Sequence, residues 1–384
     1  MKIYKRDYWF KQIKDAWTDL SLIWLSGVRR TGKTVLCKSI KGVEYFDCEL
    51  PRIRQEMSDP EKFLSAHRKQ HIVLDEIHRL DNPSELLKIA ADHYPDIKII
   101  ATGSSSLGAS KKFKDTLTGR KTNIWITPMI YDDMKDFGNT DIKHRILHGG
   151  LPHMFSAKKI KEQEYQEWFD SFWAKDIQEL FRLAQRQSFE KFFELLIINN
   201  GGMYEATNYA RPCEVNRGTI SNYLKVFEAT YVATIVKPFN SFKSSEITSA
   251  PKVYMFDTGF VCYYKGIYEV SNLNSAILWE TLVLNELAAI TQKRKIYYWR
   301  DKRLHEVDFV IPHRNGDITA IECKWSSKSF NSGNLAIFRN KYPNGKNLVA
   351  CTDVNKSYKK NYGKLEVEYV GLRDIGKIIL GQEY

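Results

Sequence analysis

The sequence predicts an α/β protein built on a mostly parallel sheet, and three observations carry that expectation. Short apolar runs, "LIWLSG" (22–27), "VEYFDC" (43–48), "HIVLDE" (71–76), "IKIIATG" (97–103) and "NIWITP" (123–128), are separated by helix-like stretches such as "PSELLKIAADHY" (83–94). That rhythm belongs to βαβ units. Runs such as "IVL" and "KIIA" lack two-residue alternation, as strands covered on both faces do. The first run also leads directly into "GVRRTGKT", a glycine-rich loop of the kind that joins a strand to a helix.

At 384 residues the chain is long enough for two or three domains with their own cores. A content of 43% hydrophobic and 27% charged residues is ordinary for a globular protein. No apolar run approaches about 18 residues, so no membrane span and no membrane partner are expected. The opening "MKIYKRDYWF" lacks the apolar centre of a secretory signal. Cys37, Cys48, Cys213, Cys262, Cys323 and Cys351 are scattered without a CxxC pair. That argues against a zinc ribbon or a disulfide framework and for a reduced, cytoplasmic setting. A net charge of +12 and a pI of about 9.2 favour polyanionic partners. Between Glu322 and Lys364 stand nine Lys/Arg against two acids, which reads as a nucleic-acid face or as a solvated basic surface.

Beyond the five expected strands the texture changes. From about 158 to 200 it is helical and aromatic, including "YQEWFDSFWAKDIQELF", followed by "GTISNYLKVFEATYVATIVKPF" and the expected strand "KVYMF". The polar stretch 240–251, "NSFKSSEITSAP", reads as a hinge. A helix, "AILWETLVLNELAAI", and the strands "KIYYWR", "EVDFVI" and "DITAIECKW" come next. The expected division is 1–155, 156–245 and 250–384.

In "GVRRTGKT" the residues Gly27, Gly32, Lys33 and Thr34 occupy the defining places of GxxxxGK[ST]. Backbone N–H groups must converge on phosphate oxygens there, and side chains would block them. Lys33 supplies a point charge to the terminal phosphates and Thr34 a hydroxyl for Mg²⁺. Arg29, Arg30, Thr31 and Val35 complete the expected cofactor loop, and the helix N-terminus near Gly32 adds its dipole. In "IVLDEIH", Asp75 and Glu76 end a buried strand, at the sheet edge where ligands of open parallel sheets bind. Asp75 is assigned to Mg²⁺ and Glu76 to the attacking water. Thr102 or Ser104, in "IIATGSSS", reads either as a γ-phosphate contact or as turn chemistry. Arg120, in "LTGR", reads as a transition-state cation or as a surface ion pair. With no NKxD, ATP is favoured over GTP. The missing GxSxG and HExxH leave serine-hydrolase and zincin chemistry unsupported.

A second constellation lies in "HEVDFVIPHRNGDITAIECKW". Glu322 and Lys324 are two apart on an expected strand and so share a face. A hairpin through "HRNGD" would bring the strand of Asp308 alongside. Two carboxylates and an ammonium around one spot suit Mg²⁺ or Mn²⁺ and metal-assisted phosphodiester hydrolysis, with Lys324 as the catalytic cation. Ordinary cross-strand charges are the alternative. On a helical wheel of the preceding helix, Glu280 falls with Ala276, Ile277, Val283, Leu284 and Leu287, while Thr281, Asn285 and Glu286 fall opposite. Glu280 thus reads as a third metal ligand, or as a structural acid bonded to Arg300 or to backbone.

Taken together, "GVRRTGKT", "VLDEIH", "ATGSSS", "LTGR", "GGLP", "KDIQELF", "TISNYLKVFE", "KVYMFDTGF", "WETLVLNEL", "YYWR", "EVDFVI" and "IECKW" resemble, in order, a widespread bacterial and archaeal ATPase family. Its members carry an AAA+ P-loop domain, a winged helix and a restriction-endonuclease-like domain. The resemblance implies that Glu280, Asp308, Glu322 and Lys324 occupy an endonuclease metal site. It also implies that "GTISNYLKVFE" is the second helix of a helix-turn-helix, with Arg217, Asn222 and Lys225 toward DNA; a packing helix is the alternative. A regular AAA+ helical lid is not evident, so assembly as an oligomer and an inter-subunit role for Arg120 stay open. Two functions follow. One is an ATP-hydrolysing, DNA-engaging protein with a metal-dependent nuclease site. The other is a nucleotide-gated switch that binds DNA or protein without cleaving.

Overall fold

In a computed structural model, residues 4–103, 111–178, 181, 183, 185–239, 250–292 and 295–381 are described. Ser104 and most of the expected hinge, 240–249, lie outside them.

Five strands form the first sheet: β1 (Leu22–Ser26), β2 (Val43–Asp47), β3 (His71–Asp75), β4 (Lys98–Thr102) and β5 (Lys121–Trp125). Each lies within an expected run or within two residues of it. Their order is β2-β3-β4-β1-β5, and every pair is parallel. All five residues of β1 are buried, as are the last four of β3 and β4, so the missing alternation does mark strands covered on both faces. The order has a consequence for the site. Because β4 lies between β1 and β3, its last residue, Thr102, stands between the glycine-rich loop and Asp75. The helix Asp7–Asp19 covers one face through Trp9, Ile13 and Ala16.

The middle of the chain is helical. The helix Glu162–Phe172 runs on into a π-helical turn, Trp173–Gln178, and is followed by Arg186–Ile198, Ala206–Ala210 and Arg217–Ala229. Trp168, Phe172, Phe189, Phe193 and Phe227 stack among one another in a buried aromatic core. Arg217–Ala229 starts at Asn216, whose side chain accepts from Thr219 N–H at 2.9 Å, as a good N-cap does. Arg217, Asn222 and Lys225 are all exposed on it.

The second sheet has eight strands: β6 (Ala233–Pro238), β7 (Lys252–Met255), β8 (Tyr297–Arg300), β9 (Glu306–Pro312), β10 (Ile318–Lys324), β11 (Asn347–Cys351), β12 (Tyr358–Tyr362) and β13 (Leu365–Val370). Their order is β12-β13-β11-β10-β9-β8-β6-β7. Strands β6 and β7 straddle the expected 245/250 boundary and pair antiparallel, while β6 also pairs with β8. The middle hairpin and the C-terminal strands are therefore one continuous sheet.

The helix Ser275–Thr291 is the central post. It packs on β10 and on the helix Leu372–Leu380, and its far end reaches the first sheet. Asn285 Nδ2 donates to Pro128 O at 3.0 Å, and Gln292 Oε1 accepts from Trp125 N–H at 2.7 Å. The helical wheel set Thr281 and Glu286 opposite the apolar stripe that holds Glu280; both are buried. The reason is that neighbours lie on several sides of this helix: Thr281 Oγ1 accepts from Asn200 Nδ2, and Glu286 Oε2 accepts from Tyr131 N–H. Among the described residues no helix is long and apolar enough to cross a membrane.

Candidate functional site

The glycine-rich loop leaves β1 at Gly27, whose φ of 149° and position under Ile126 O leave no room for a side chain: a Cβ would sit 2.3 Å from that oxygen. Gly32, at φ 88°, turns the chain into the helix Lys33–Ser39. Thr31 is fully buried and donates from Oγ1 to Val28 O at 2.9 Å, and Arg6 Nη1 donates to Thr31 O at 2.7 Å. Lys33 Nζ lies across the loop and donates to Gly27 O at 2.9 Å and Val28 O at 3.1 Å. Burial pulls the Lys33 pKa down, and the carboxylates of Glu76, Asp176 and Asp75 only partly offset this.

Asp75, at the end of β3, gathers three hydroxyls. Thr34 Oγ1 donates to it at 3.0 Å, and Tyr45 OH and Thr102 Oγ1 donate to it as well. Thr102 Oγ1 in turn accepts from Glu76 N–H at 3.1 Å. A threonine hydroxyl facing a carboxylate at the foot of the loop is a hard-oxygen donor set of the kind that suits Mg²⁺. Glu76 adopts a left-handed backbone, φ 54°, which favours glycine and is uncommon for a side-chain-bearing residue. Its carboxylate lies 3.2 Å from His78 Nδ1. Burial works to raise the Glu76 pKa, but the His78 hydrogen bond and the charges of His78, Lys33 and Arg29 outweigh it, so Glu76 is held below the usual carboxylate range.

These groups open into a cleft of about 570 Å³. Gly27, Arg29, Arg30, Gly32, Lys33, Thr34, Val35 and Glu76 line one wall, and Ser171, Phe172, Lys175, Asp176 and Thr230 of the helical region line the other. The second wall is tied to the loop. Arg29 Nη1 pairs with Asp176 Oδ2 at 3.1 Å, Arg29 Nε donates to Ser171 Oγ at 2.5 Å, and Trp168 Nε1 donates to Arg29 O at 3.2 Å. Tyr231, just after the helix Arg217–Ala229, shares a hydrogen bond with Ser26 beneath the loop. None of these wall residues carried a short-range signal; only the aromatic texture of 158–200 hinted that something packs there. Arg120 is not brought to the cleft. It precedes β5, at the sheet edge opposite the loop, and its Nε pairs with Asp92 at 2.6 Å in a surface ion pair.

The second constellation is also assembled. The β9–β10 register pairs Phe309 with Ile321, so Asp308 stands across from Glu322 one step further. Asp308 Oδ2 accepts from Cys323 N–H at 2.7 Å. Lys324 Nζ lies 2.7 Å from Glu322 and 3.8 Å from Asp308. Glu280 accepts from Tyr254 OH, with Lys252 Nζ at 3.4 Å; Lys252 also pairs with Glu306 at 2.6 Å. Burial, then the nearby charge of Asp308, pushes Glu280 up to about 7 and Glu322 up to about 8. Glu322 Oε1 is buried with no hydrogen-bond partner. Glu280 is thus a neighbour of Asp308, but its partners are Lys252 and Tyr254 on β7 rather than Arg300 or backbone. The expected metal set of Glu280, Asp308 and Glu322 is not drawn together as ligands: among the described residues no group of three or more His, Cys, Asp or Glu is arranged to hold a metal ion. These carboxylates are instead partnered locally, Glu280 by Lys252 and Tyr254, and Glu322 and Asp308 by Lys324.

Residues 20–135 match the family model described as "AAA domain", residues 139–271 one described as "Domain of unknown function (DUF8612)", and residues 276–370 one described as "Domain of unknown function (DUF4143)". An uncharacterized protein of Mycobacterium tuberculosis is 24% identical over 302 residues, covering 76% of this chain and 67% of its own. An uncharacterized protein of Haemophilus influenzae is 22% identical over 281 residues, covering 65% and 69%. Among solved structures, AMPPCP-bound DnaA from Aquifex aeolicus superposes with a TM-score of 0.27 at 14% identity, over 59% of this chain and 92% of that one. The Bacillus subtilis DNA clamp loader delta protein gives 0.26 at 12%, over 58% and 88%. At such scores the superpositions carry no weight. The family match over residues 20–135 and the five-stranded parallel sheet with its glycine-rich loop do: the first part of the chain is similar to an AAA domain and has the sheet and phosphate-loop pattern of a P-loop fold.

Proposed function

We propose that this protein binds and hydrolyses Mg-ATP in the cleft between the P-loop domain and the helical region, and that nucleotide state sets how the rest of the chain engages DNA. The observation that carries the reading is the Thr34–Asp75 contact at 3.0 Å beneath the loop, with Lys33 and Glu76 beside it. The N–H groups of the loop 27–34 bind the phosphates, and Lys33 exchanges its carbonyl partners for phosphate oxygens. Thr34 and Asp75 would hold Mg²⁺, which supplies charge neutralisation on the phosphates. Glu76, kept ionised, orients water and takes its proton at the carboxylate. Thr102, bridging Asp75 and the Glu76 backbone, couples the two acids. The ties from Arg29 to Ser171 and Asp176 give the helical region a direct link to the phosphates, and the second helix of the winged-helix reading, Arg217–Ala229, ends on that wall. The test is ATP turnover by purified protein with Mg²⁺: Lys33→Ala should abolish it, and equal turnover would overturn the assignment.

A second reading adds phosphodiester cleavage by the restriction-endonuclease-like C-terminal part. The buried, unpartnered Glu322 Oε1 beside Lys324 favours it. The competing commitments of Glu280 and Asp308 weigh the other way, so the gated-binding reading stands first.

A further inference from the structure

The reading above says that DNA is engaged but not where. The outermost strand of the second sheet, β12, joins only β13 among the described residues. Pairing Tyr358 with Tyr369 and Tyr362 with Leu365 puts Tyr358, Lys360 and Tyr362 on one face and Lys359 and Asn361 on the other. The Lys359 face is neutralised, since Lys359 pairs with Glu366 at 2.8 Å and faces Glu368.

The other face differs. Tyr358 lies flat on Tyr369, with ring centroids 4.8 Å apart and planes at 5°, yet it is 45% exposed. One side of its ring is backed and the other faces outward. Phe330 packs against both Tyr362 and Tyr369, and Tyr362 OH hydrogen-bonds Tyr369 OH, so the platform is braced from below. Lys360 Nζ sits 5.0 Å above the Tyr362 ring. Lys356 and Lys364 flank the strand, and both are exposed. Lysines on an edge strand also deter edge-to-edge pairing. That role does not call for an outward-facing ring, nor for its bracing.

Position supplies the second argument. Lys324 pairs with Cys351, Ala350 with Val370, and Tyr369 with Tyr358, so Lys324 and Tyr358 lie along the same edge of the sheet. Three strand spacings of about 4.8 Å and a two-residue offset along the strands separate them, roughly 16 Å. A backbone lying on the β12 shelf would thus run toward the Asp308–Glu322–Lys324 cluster.

We propose that β12 and its flanks are a binding shelf for single-stranded nucleic acid, in which Lys356, Lys360 and Lys364 contact phosphates and Tyr358 stacks on a base. The proposal rests on the reading that this chain engages nucleic acid. An aromatic face beside spaced cations is what sequence-tolerant single-strand binding requires.

The test is fluorescence anisotropy of a labelled oligo-dT and of a duplex of equal length, at several salt concentrations. Wild type should bind oligo-dT more tightly than duplex. Replacing Lys356, Lys360 and Lys364 together by Ala should lower the magnitude of the log K against log salt slope by about 2, at ~0.7 per lost phosphate contact. Tyr358→Ala should weaken binding at fixed salt by roughly 5- to 150-fold, and Tyr358→Phe should restore it. ATP turnover of every variant should match wild type. Unchanged slope and affinity in these variants would overturn the shelf while leaving DNA engagement elsewhere intact, and tighter binding of duplex with no dependence on Tyr358 would overturn it too. Lost ATP turnover in wild type with the Tyr358 dependence intact would sink the ATPase reading alone.

Discussion

Nη1 of Arg29, in the phosphate loop, lies 3.1 Å from Oδ2 of Asp176, in the π-helical turn of the opposite wall. A carboxylate therefore already sits on a cation at the mouth of the phosphate site. Burial raises the Asp176 pKa, and Arg29 and Lys33 pull it back. On the proposed reading an incoming polyphosphate would meet the same two cations, and Asp176 would oppose it. π-Helical turns occur often at functional positions, and this one carries the opposing charge.

Asp176→Asn should accordingly tighten binding of a non-hydrolysable ATP analogue. Removing ~1–2 kcal/mol of like-charge repulsion, the scale expected near an effective dielectric of 20, corresponds to about 5- to 30-fold. Arg29→Ala should weaken binding by a similar factor. Calorimetry on both variants checks the sign, and equal affinities would show that the pair has no bearing on the nucleotide.

Glu76→Gln should leave nucleotide affinity near that of wild type and cut turnover by roughly 10²- to 10⁴-fold, the usual worth of a positioned general base. Tyr45→Phe tests the support of Asp75. Losing the hydroxyl that Tyr45 donates should raise the Mg²⁺ concentration needed for half-maximal rate, with a smaller effect on the maximal rate. A lowered maximal rate with an unchanged Mg²⁺ requirement would show that Tyr45 acts elsewhere.

The loop, Asp75 and Glu76 were legible because each is a local pattern: glycine spacing before a helix, acids after a buried strand. The opposite wall was not, because Arg29 and Asp176 are 147 residues apart and nothing local to "WAKDIQ" marks it as facing a phosphate loop. Arg120 stayed open between a transition-state cation and a surface ion pair for the converse reason, and the second is what forms. A "TGR" triplet says nothing of which sheet edge it ends on, and the register of β5 puts it at the far one. In the second sheet, the two-residue period correctly placed Asp308, Glu322 and Lys324 together. It could not show that Lys252 and Tyr254, on a strand 26 to 28 residues before Glu280, hold that carboxylate. The helix Ser275–Thr291 defeated the wheel because its polar residues Thr281 and Glu286 are buried against Asn200 and Tyr131, partners that a wheel does not show.

Glu286 shows what that burial implies. Its Oε2 accepts from Tyr131 N–H at 3.0 Å, where the central helix meets the P-loop domain. Burial, with Asp132 and Asp133 nearby, pushes its pKa up to about 8. The unfolded chain titrates near the ordinary value of about 4.3. Between these values the native state holds a proton that the unfolded state has released. Stability attributable to this group is thus complete below about pH 4 and falls as pH rises toward about 8, by at most ~1.4 kcal/mol per unit. Glu286→Gln should flatten that slope and raise the apparent Tm at pH 8 relative to wild type, with little change at pH 5. Thermal melts at the two pH values check it, and an equal shift at both would mean that the carboxyl is ionised throughout.

Cleavage separates the two functional readings. Asp308 is the shared neighbour that raises both Glu280 and Glu322, yet its own Oδ2 is occupied by Cys323 N–H and lies 3.8 Å from Lys324. For these carboxylates to bind a divalent cation, Lys252 would have to release Glu280, and two raised carboxyls would have to shed protons. Supercoiled plasmid incubated with wild type, Mg²⁺ or Mn²⁺ and ATP is therefore expected to stay intact at neutral pH. Nicking that grows with pH and vanishes in Asp308→Ala would reverse the order of the two readings. It would also show that the bonds from Lys252 and Tyr254 to Glu280 open when metal binds. Lys252→Ala would then speed nicking rather than slow it, because the competing ammonium is gone. A drop in rate would instead place Lys252 among the groups that meet the phosphodiester.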